Sequence, residues 1–160
     1  MALPSDARAG LPFERRERLL AAARLVDGSW VAATARALLL PARRVDWATI
    51  ARAEWSDEDG VLTLDRIGTA GGVPEHFGLA LDEPGRLPEV LRERVTSSIV
   101  AWRHIVVEGR AGVRVVARRV PGADELVWQV VVDRELDPGD ARVQAAGETG
   151  ISELRRELGA

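Results

Sequence analysis

The sequence predicts an α+β chain: a run of antiparallel strands, one amphipathic helix, then a βββα unit. Three observations carry that prediction. Short apolar runs, several alternating with period two, are punctuated by turn dipeptides up to residue 81. The period turns helical after Asp82-Glu83-Pro84. Beyond residue 104 three further apolar runs precede a last helical stretch. Hydrophobic residues are 46% and charged residues 29% of the 160, a balance that excludes intrinsic disorder and a membrane-embedded protein.

Residues 1–12 are small, polar and Pro-containing, and are expected to be a flexible lead-in. Residues 19–26 favour helix by propensity. Yet Asp27-Gly28 separates them from a second apolar run, 29–34, and that dipeptide between apolar runs signals a hairpin. Strands are therefore expected on both sides of it. Ala37-Leu38-Leu39-Leu40 is the next strand, stopped by Pro41. Residues 45–50 lead as a strand towards Ala53-Glu54-Trp55, and the loop 56–60 turns into Val61-Leu62-Thr63-Leu64. Gly68-Thr69-Ala70-Gly71-Gly72 is a loop. Residues 76–81 form one more strand with Phe77, Leu79 and Leu81 on one side.

A helix is predicted over 84–103, with Leu87, Val90, Leu91, Val95, Ile99 and Trp102 on one stripe. Asp82 is its predicted N-cap and Pro84 lies in its first turn. The second unit, 104–160, places strands at 105–107, 113–117 and 126–132, joined by turns at 108–112 and 121–124. Asp137 as N-cap and Pro138 then open a last helix with the stripe Val143, Gly147, Ile151, Leu154 and Leu158. Gly147 and Gly150 would cost that helix about 1 kcal/mol each relative to Ala. The chain thus divides into lead-in 1–12, a strand-and-helix domain 13–103 and the βββα unit 104–160, the last two expected to share a core.

Composition removes whole classes of chemistry. There is no Cys and no Tyr, and all 22 basic residues are Arg. Disulfides, thiolate nucleophiles, Cys-ligated metals, tyrosine acids and Schiff-base lysines are excluded. Two His, His76 and His104, are too few for a His-rich metal site. A net charge of −3 gives no general attraction to nucleic acid or anionic membrane. The first residues lack an apolar leader, and no apolar run approaches the ~18–20 residues of a membrane span. A cytoplasmic protein without a cofactor is expected.

Two motifs carry a family resemblance. Thr34-Ala35-Arg36-Ala37-Leu38, at the second-to-third strand turn, resembles the Thr-x-Arg-x-Leu pattern of bacterial pleckstrin-homology-like (PH-like) domains. Val45-Asp46-Trp47-Ala48-Thr49-Ile50 is similar to the apolar-x-Trp-x-x-Ile strand that follows it there. The resemblance covers about residues 17–103. It implies a PH-like antiparallel β-barrel closed at one end by the helix, and a binding or scaffolding role. The whole chain also resembles an uncharacterised family of short proteins from high-G+C bacteria, which implies no activity. Phosphoinositide-binding PH domains carry cations around the first hairpin loop. Here that loop is Val26-Asp27-Gly28-Ser29, with an acid and no base, so lipid headgroup binding is not expected.

Asp57-Glu58-Asp59 offers carboxylates to a cation but lacks the spacing of an EF-hand, and reads as a solvated turn. Gly68-Thr69-Ala70-Gly71-Gly72 lacks the Lys-Ser/Thr of a phosphate loop. His104, beside Arg103 and four residues before Glu108, has the chemistry of a general base but no identifiable nucleophile. A cation at a helix C-terminus also complements the dipole. Among the Trp, Trp47 and Trp102 are expected in the core, with Trp30, Trp55 and Trp128 partly exposed.

Charge is concentrated in one window. Residues 101–120 hold Arg103, Arg110, Arg114, Arg118 and Arg119 against Glu108 alone, giving +4 there and −7 over the rest. On a strand Arg114, Val116 and Arg118 share a side, and pairing through the 121–124 turn would bring Trp128 close to them. Arg beside an exposed aromatic suits single-stranded nucleic acid; ion pairing within the protein, or an acidic partner, is the alternative. The candidate binding residues are Arg103, His104, Arg110, Arg114, Arg118 and Trp128, with no catalytic or metal-binding residue assigned. The expected function is a non-enzymatic cytoplasmic interaction module for a protein partner, self-association included. Two alternatives stand beside it: a single-stranded nucleic-acid binder using Arg103 to Arg119, and a small-ligand binder or enzyme with a pocket near His104.

Overall fold

A computed structural model describes residues 3–66, 75–119 and 124–160. The chain divides into two compact units, Met1–Ser98 and Ile99–Ala160.

In the first unit a short helix α1 (Ser5–Ala9) precedes seven antiparallel strands. The Asp27-Gly28 signal holds. Strands β1 (Leu19–Leu25) and β2 (Trp30–Thr34) pair through it, with Gly28 at φ 89° and the Asp27 carboxylate accepting the Ser29 N–H at 2.8 Å. Strands β3 (Ala37–Leu40) and β4 (Arg43–Asp46) follow. A 3₁₀ turn at Trp47–Thr49 then breaks the strand expected to run on from residue 45. The buried Trp47 donates its indole N–H to the Thr34 carbonyl at 2.9 Å, and Thr49 Oγ1 donates to Asp46 O at 2.7 Å. Strands β5 (Ile50–Ser56), β6 (Val61–Arg66) and β7 (Glu75–Glu83) complete the set.

The strand order is β4-β3-β2-β1-β7-β6-β5. This is an open sheet where a closed barrel was expected. β4 and β5, neighbours in sequence, lie at its two edges with the 3₁₀ turn between them, and no ladder joins them among the described residues. One face carries the main core, where Ala21, Ala23, Val31, Leu38, Ile50, Leu62 and Leu64 meet the stripe of the following helix. The other face of β2 and β3 buries Ala32, Ala37 and Leu39 against Leu11 of the lead-in and Phe13 just after it. Leu3 and Leu11 of the expected lead-in are therefore packed, because those strands are apolar on both faces, while residues 4–6 and 8–10 are exposed. A buried Glu17 ties the segment after the lead-in to β2 and β4, accepting from Thr34 Oγ1 and Arg44 Nη2 at 2.6 Å each.

Helix α2 spans Leu87–Ser97, shorter at both ends than predicted. Asp82 remains in β7 and pairs with Arg24 at 2.6 Å, so it does not cap; Arg86 occupies the cap position, with Pro88 in the first turn. Leu87, Val90, Leu91 and Val95 are buried as predicted. Ile99 and Trp102 leave the stripe, because the chain is already in strand from Ile99. β-branched Val95, Thr96, Ile99 and Val100 favour that change.

The second unit is a three-stranded antiparallel sheet with a helix. β8 (Ile99–Glu108), β9 (Ala111–Arg119) and β10 (Leu126–Val132) take the order β10-β9-β8, and α3 (Ala141–Leu158) packs on them. Asp140, rather than Asp137, is the N-cap: its carboxylate accepts the Arg142 N–H at 2.8 Å, while Asp137 accepts from Gly139 in the preceding turn. Gly147 and Gly150 sit on the buried stripe with Val143 and Leu154. The glycine loop at 68–72 and most of the 121–124 turn lie outside the described residues.

Candidate functional site

Parity along β8 and β9 decides which candidates meet. Register pairs Arg103 with Val115, Ala101 with Ala117, and Trp128 with Ala117, so these residues lie on the face that α3 covers. Trp102 pairs with Val116, His104 with Arg114, and Gln129 with Val116, which places them on the opposite face. The predicted Arg strip is therefore split between two faces.

Arg103 is spent on α3. Its guanidinium donates to Glu153 at 2.6 Å and also to Glu157, one turn on, and these carboxylates push its pKa further up. Trp128 lies on the same face, with the Arg155 guanidinium 5.4 Å from its ring. The expected meeting of Trp128 with Arg114 and Arg118 does not occur. Beside Trp128 a groove of about 430 Å³ is lined by Asp124, Glu125, Leu126, Arg155 and Ala160. His104 is on the other face.

Arg118 is 1% exposed and donates from Nε to the Gln129 side-chain Oε1 at 2.7 Å. Burial alone lowers its pKa to about 10, since a low-polarity surround disfavours the cation. Arg110 is exposed in the β8–β9 turn beside Gly109, and Arg119 is exposed at the end of β9.

The residues left together form a small patch on the face away from α3. Trp102, expected in the core of a helix, is 57% exposed on β8, and Val106 is equally exposed. The Arg114 guanidinium lies 4.9 Å from the Trp102 ring, a cation–π contact of about 0.5–1 kcal/mol at an exposed site. His104 is mid-strand, not at a helix end, so the dipole account of it falls. Its Nε2 lies 3.2 Å from Asp133 Oδ2. That oxygen also accepts the Gly112 N–H at 2.8 Å, and this backbone bond, then His104 and Arg114, hold the Asp133 carboxyl below its ordinary range. No nucleophile stands beside His104 in this set. An exposed aromatic, an exposed aliphatic and a stacked guanidinium make a surface suited to contact.

Asp133 and the exposure of Trp102 and Val106 were missed from sequence. The available signal was the β-branched, alternating run 99–107. The Asp57 and Asp59 carboxylates bind their own turn, through Trp55 Nε1 at 2.6 Å and Ser56 Oγ at 2.9 Å. No helix among the described residues is long and apolar enough to cross a membrane. No family model, curated protein or solved structure matches the chain.

Proposed function

We propose that this chain is a non-enzymatic cytoplasmic interaction module that holds a protein partner through the exposed β8 side of its second unit. The single observation that carries this is the exposure of three large apolar residues of β8: Trp102 and Val106 on one face, each 57% exposed, and Val100 at the irregularity before them, 41% exposed. Exposed large apolar groups are ordinary one by one, but three on one strand form a contact surface. Trp and Arg, here stacked as Trp102 and Arg114, are the residue types over-represented where contacts carry energy. The first unit we propose to be a PH-like scaffold with an opened sheet. Seven consecutive antiparallel strands followed by one amphipathic helix support that reading, and Asp27 in the first hairpin speaks against a phosphoinositide ligand.

The test is affinity capture from native lysate, with and without nuclease, using the full chain and its Trp102→Ala variant. A protein retained by the wild type after nuclease and lost with Trp102→Ala is the expected result. Capture abolished by nuclease would overturn the proposal in favour of nucleic acid.

A further inference from the structure

We propose that the open edge of β8 pairs antiparallel with β8 of a second copy of this chain, in the register that sets His104 opposite the partner's His104. This deepens the interaction reading and rests on it.

Backbone directions come first. Asp133 N–H donates to Gly112 O at 3.0 Å, and Gly112 N–H donates to the Asp133 carboxylate, so the Gly112 backbone points to the β10 side. Directions alternate along a strand, so Val113, Val115 and Ala117 point to β8. Their partners Ile105, Arg103 and Ala101 point back at β9. The backbone groups of Trp102, His104 and Val106 are thereby directed out of the sheet, and no strand among the described residues pairs with them. Irregularities between Ile99 and Ala101 and between Val106 and Glu108 bound this regular edge.

Self-complementarity then selects the occupant. A two-fold antiparallel pairing keeps both copies the same face up, so each residue meets one of its own parity. Centred on His104, the pairing sets Trp102 against the partner's Val106 and Val106 against the partner's Trp102. Each exposed apolar side chain covers the other, and each pair exchanges both backbone hydrogen bonds. Centred on Arg103, it would face that guanidinium with its own copy, a like-charge pair, and leave Trp102 on the partner's His104. Centred on Ile105, it would set Trp102 against the partner's Glu108. Charge and apolar cover agree on one register, and only a second copy supplies that matched sequence. On the α3 face the same register lays the Arg103 stem beside the partner's Ile105.

Sedimentation equilibrium of the full chain tests this, with a dimer fraction that rises with concentration expected. Val106→Lys, at an exposed position, should keep the circular dichroism spectrum and weaken the dimer at least about tenfold. His104→Pro removes an outward N–H that the chain's own ladder does not use, and should act likewise. The chain has no cysteine. His104→Cys should therefore give a covalent dimer on mild oxidation, since paired Cα atoms about 5.5 Å apart suit a disulfide. Arg110→Cys should not. A wild type that stays monomeric at every concentration, a dimer unmoved by Val106→Lys, or cross-linking no faster at residue 104 than at 110 would overturn the proposal. A monomer that still captures a Trp102-dependent protein overturns self-pairing and leaves the interaction reading standing; a monomer that captures nothing overturns both.

Discussion

Gly150→Ala should destabilise the second unit, whereas Gly147→Ala, three residues earlier on the same helix, should stabilise it. Helix propensity alone favours Ala at both sites by about 1 kcal/mol. The neighbours differ. A Cβ on Gly150 would lie 2.5 Å from Val115 Cγ2 and 3.2 Å from Ile105 Cδ1. Carbon atoms rest about 3.5–4.0 Å apart, so α3 or Val115 would have to move by about 1 Å. Val115 is fully buried and stiff at χ1, which leaves the helix to move. Such overpacking costs about 1–3 kcal/mol, and the net loss should be about 1 kcal/mol. At Gly147 the nearest atom is Val130 Cγ1 at 3.2 Å, on a half-buried side chain that yields a few tenths of an ångström. There the propensity gain should survive as about 0.5 kcal/mol or more of stabilisation. Urea unfolding of the two variants measures the difference. Amide exchange at Val115 and Ala117, whose N–H groups pair with β8, assigns it to this unit. A Gly150→Ala protein as stable as Gly147→Ala would refute the close-approach reasoning.

Glu17 carries a pH dependence. Its hydrogen bond from Arg44 outweighs burial and lowers its carboxyl from 4.5 to about 2. A depressed acid stabilises above its unfolded value and loses that contribution as pH falls from about 4.5 to about 2, here worth about 3 kcal/mol. Glu17→Gln should flatten that acid limb in thermal melts. Gln129→Leu removes the acceptor of the buried Arg118 Nε–H and should cost about 1–3 kcal/mol by urea titration. Fluorescence anisotropy with single-stranded RNA should show no binding at physiological salt. A log–log salt slope of about 0.7 per phosphate, reduced by Arg114→Ala, would reverse that expectation.

What was legible in the sequence was local. The 19–34 hairpin followed from two adjacent residues, and the α2 stripe from Leu87 to Val95 followed from spacing within one helix. The overrun to residue 103 arose because Val95, Ile99 and Trp102 continue a three-to-four spacing that a helix and a new strand satisfy equally well. On the strand, a register irregularity separates Ile99 from Ala101, and Ile99 pairs with Arg118 and Trp102 with Val116, so both lie on one sheet face and neither belongs to the stripe of α2. The caps failed for a related reason: Asp82 and Asp137 each precede a Pro, but Asp82 closes a strand and Asp137 a turn, and Asp140 takes the capping role. Barrel closure was not legible because it requires an edge-to-edge pairing across the whole unit. No alternation within β4 or β5 encodes that.

The Arg strip shows where charge counting stops. A window of +4 is a sum along the chain, whereas binding depends on which side of each strand the charges fall. Arg103 is neutralised by Glu153 and Glu157, fifty residues downstream, through the docking of α3. Arg118 and Arg114 share a face, yet one is buried and the other stacks on Trp102. Trp128 was assigned to that face on an assumed register, and a slip of one residue moves a side chain to the opposite side. The observed register, Trp128 with Ala117, puts it with Arg155 instead. Exposure therefore outranks charge here. The exposed aromatic among the described residues of this window is Trp102, which the sequence assigned to a core.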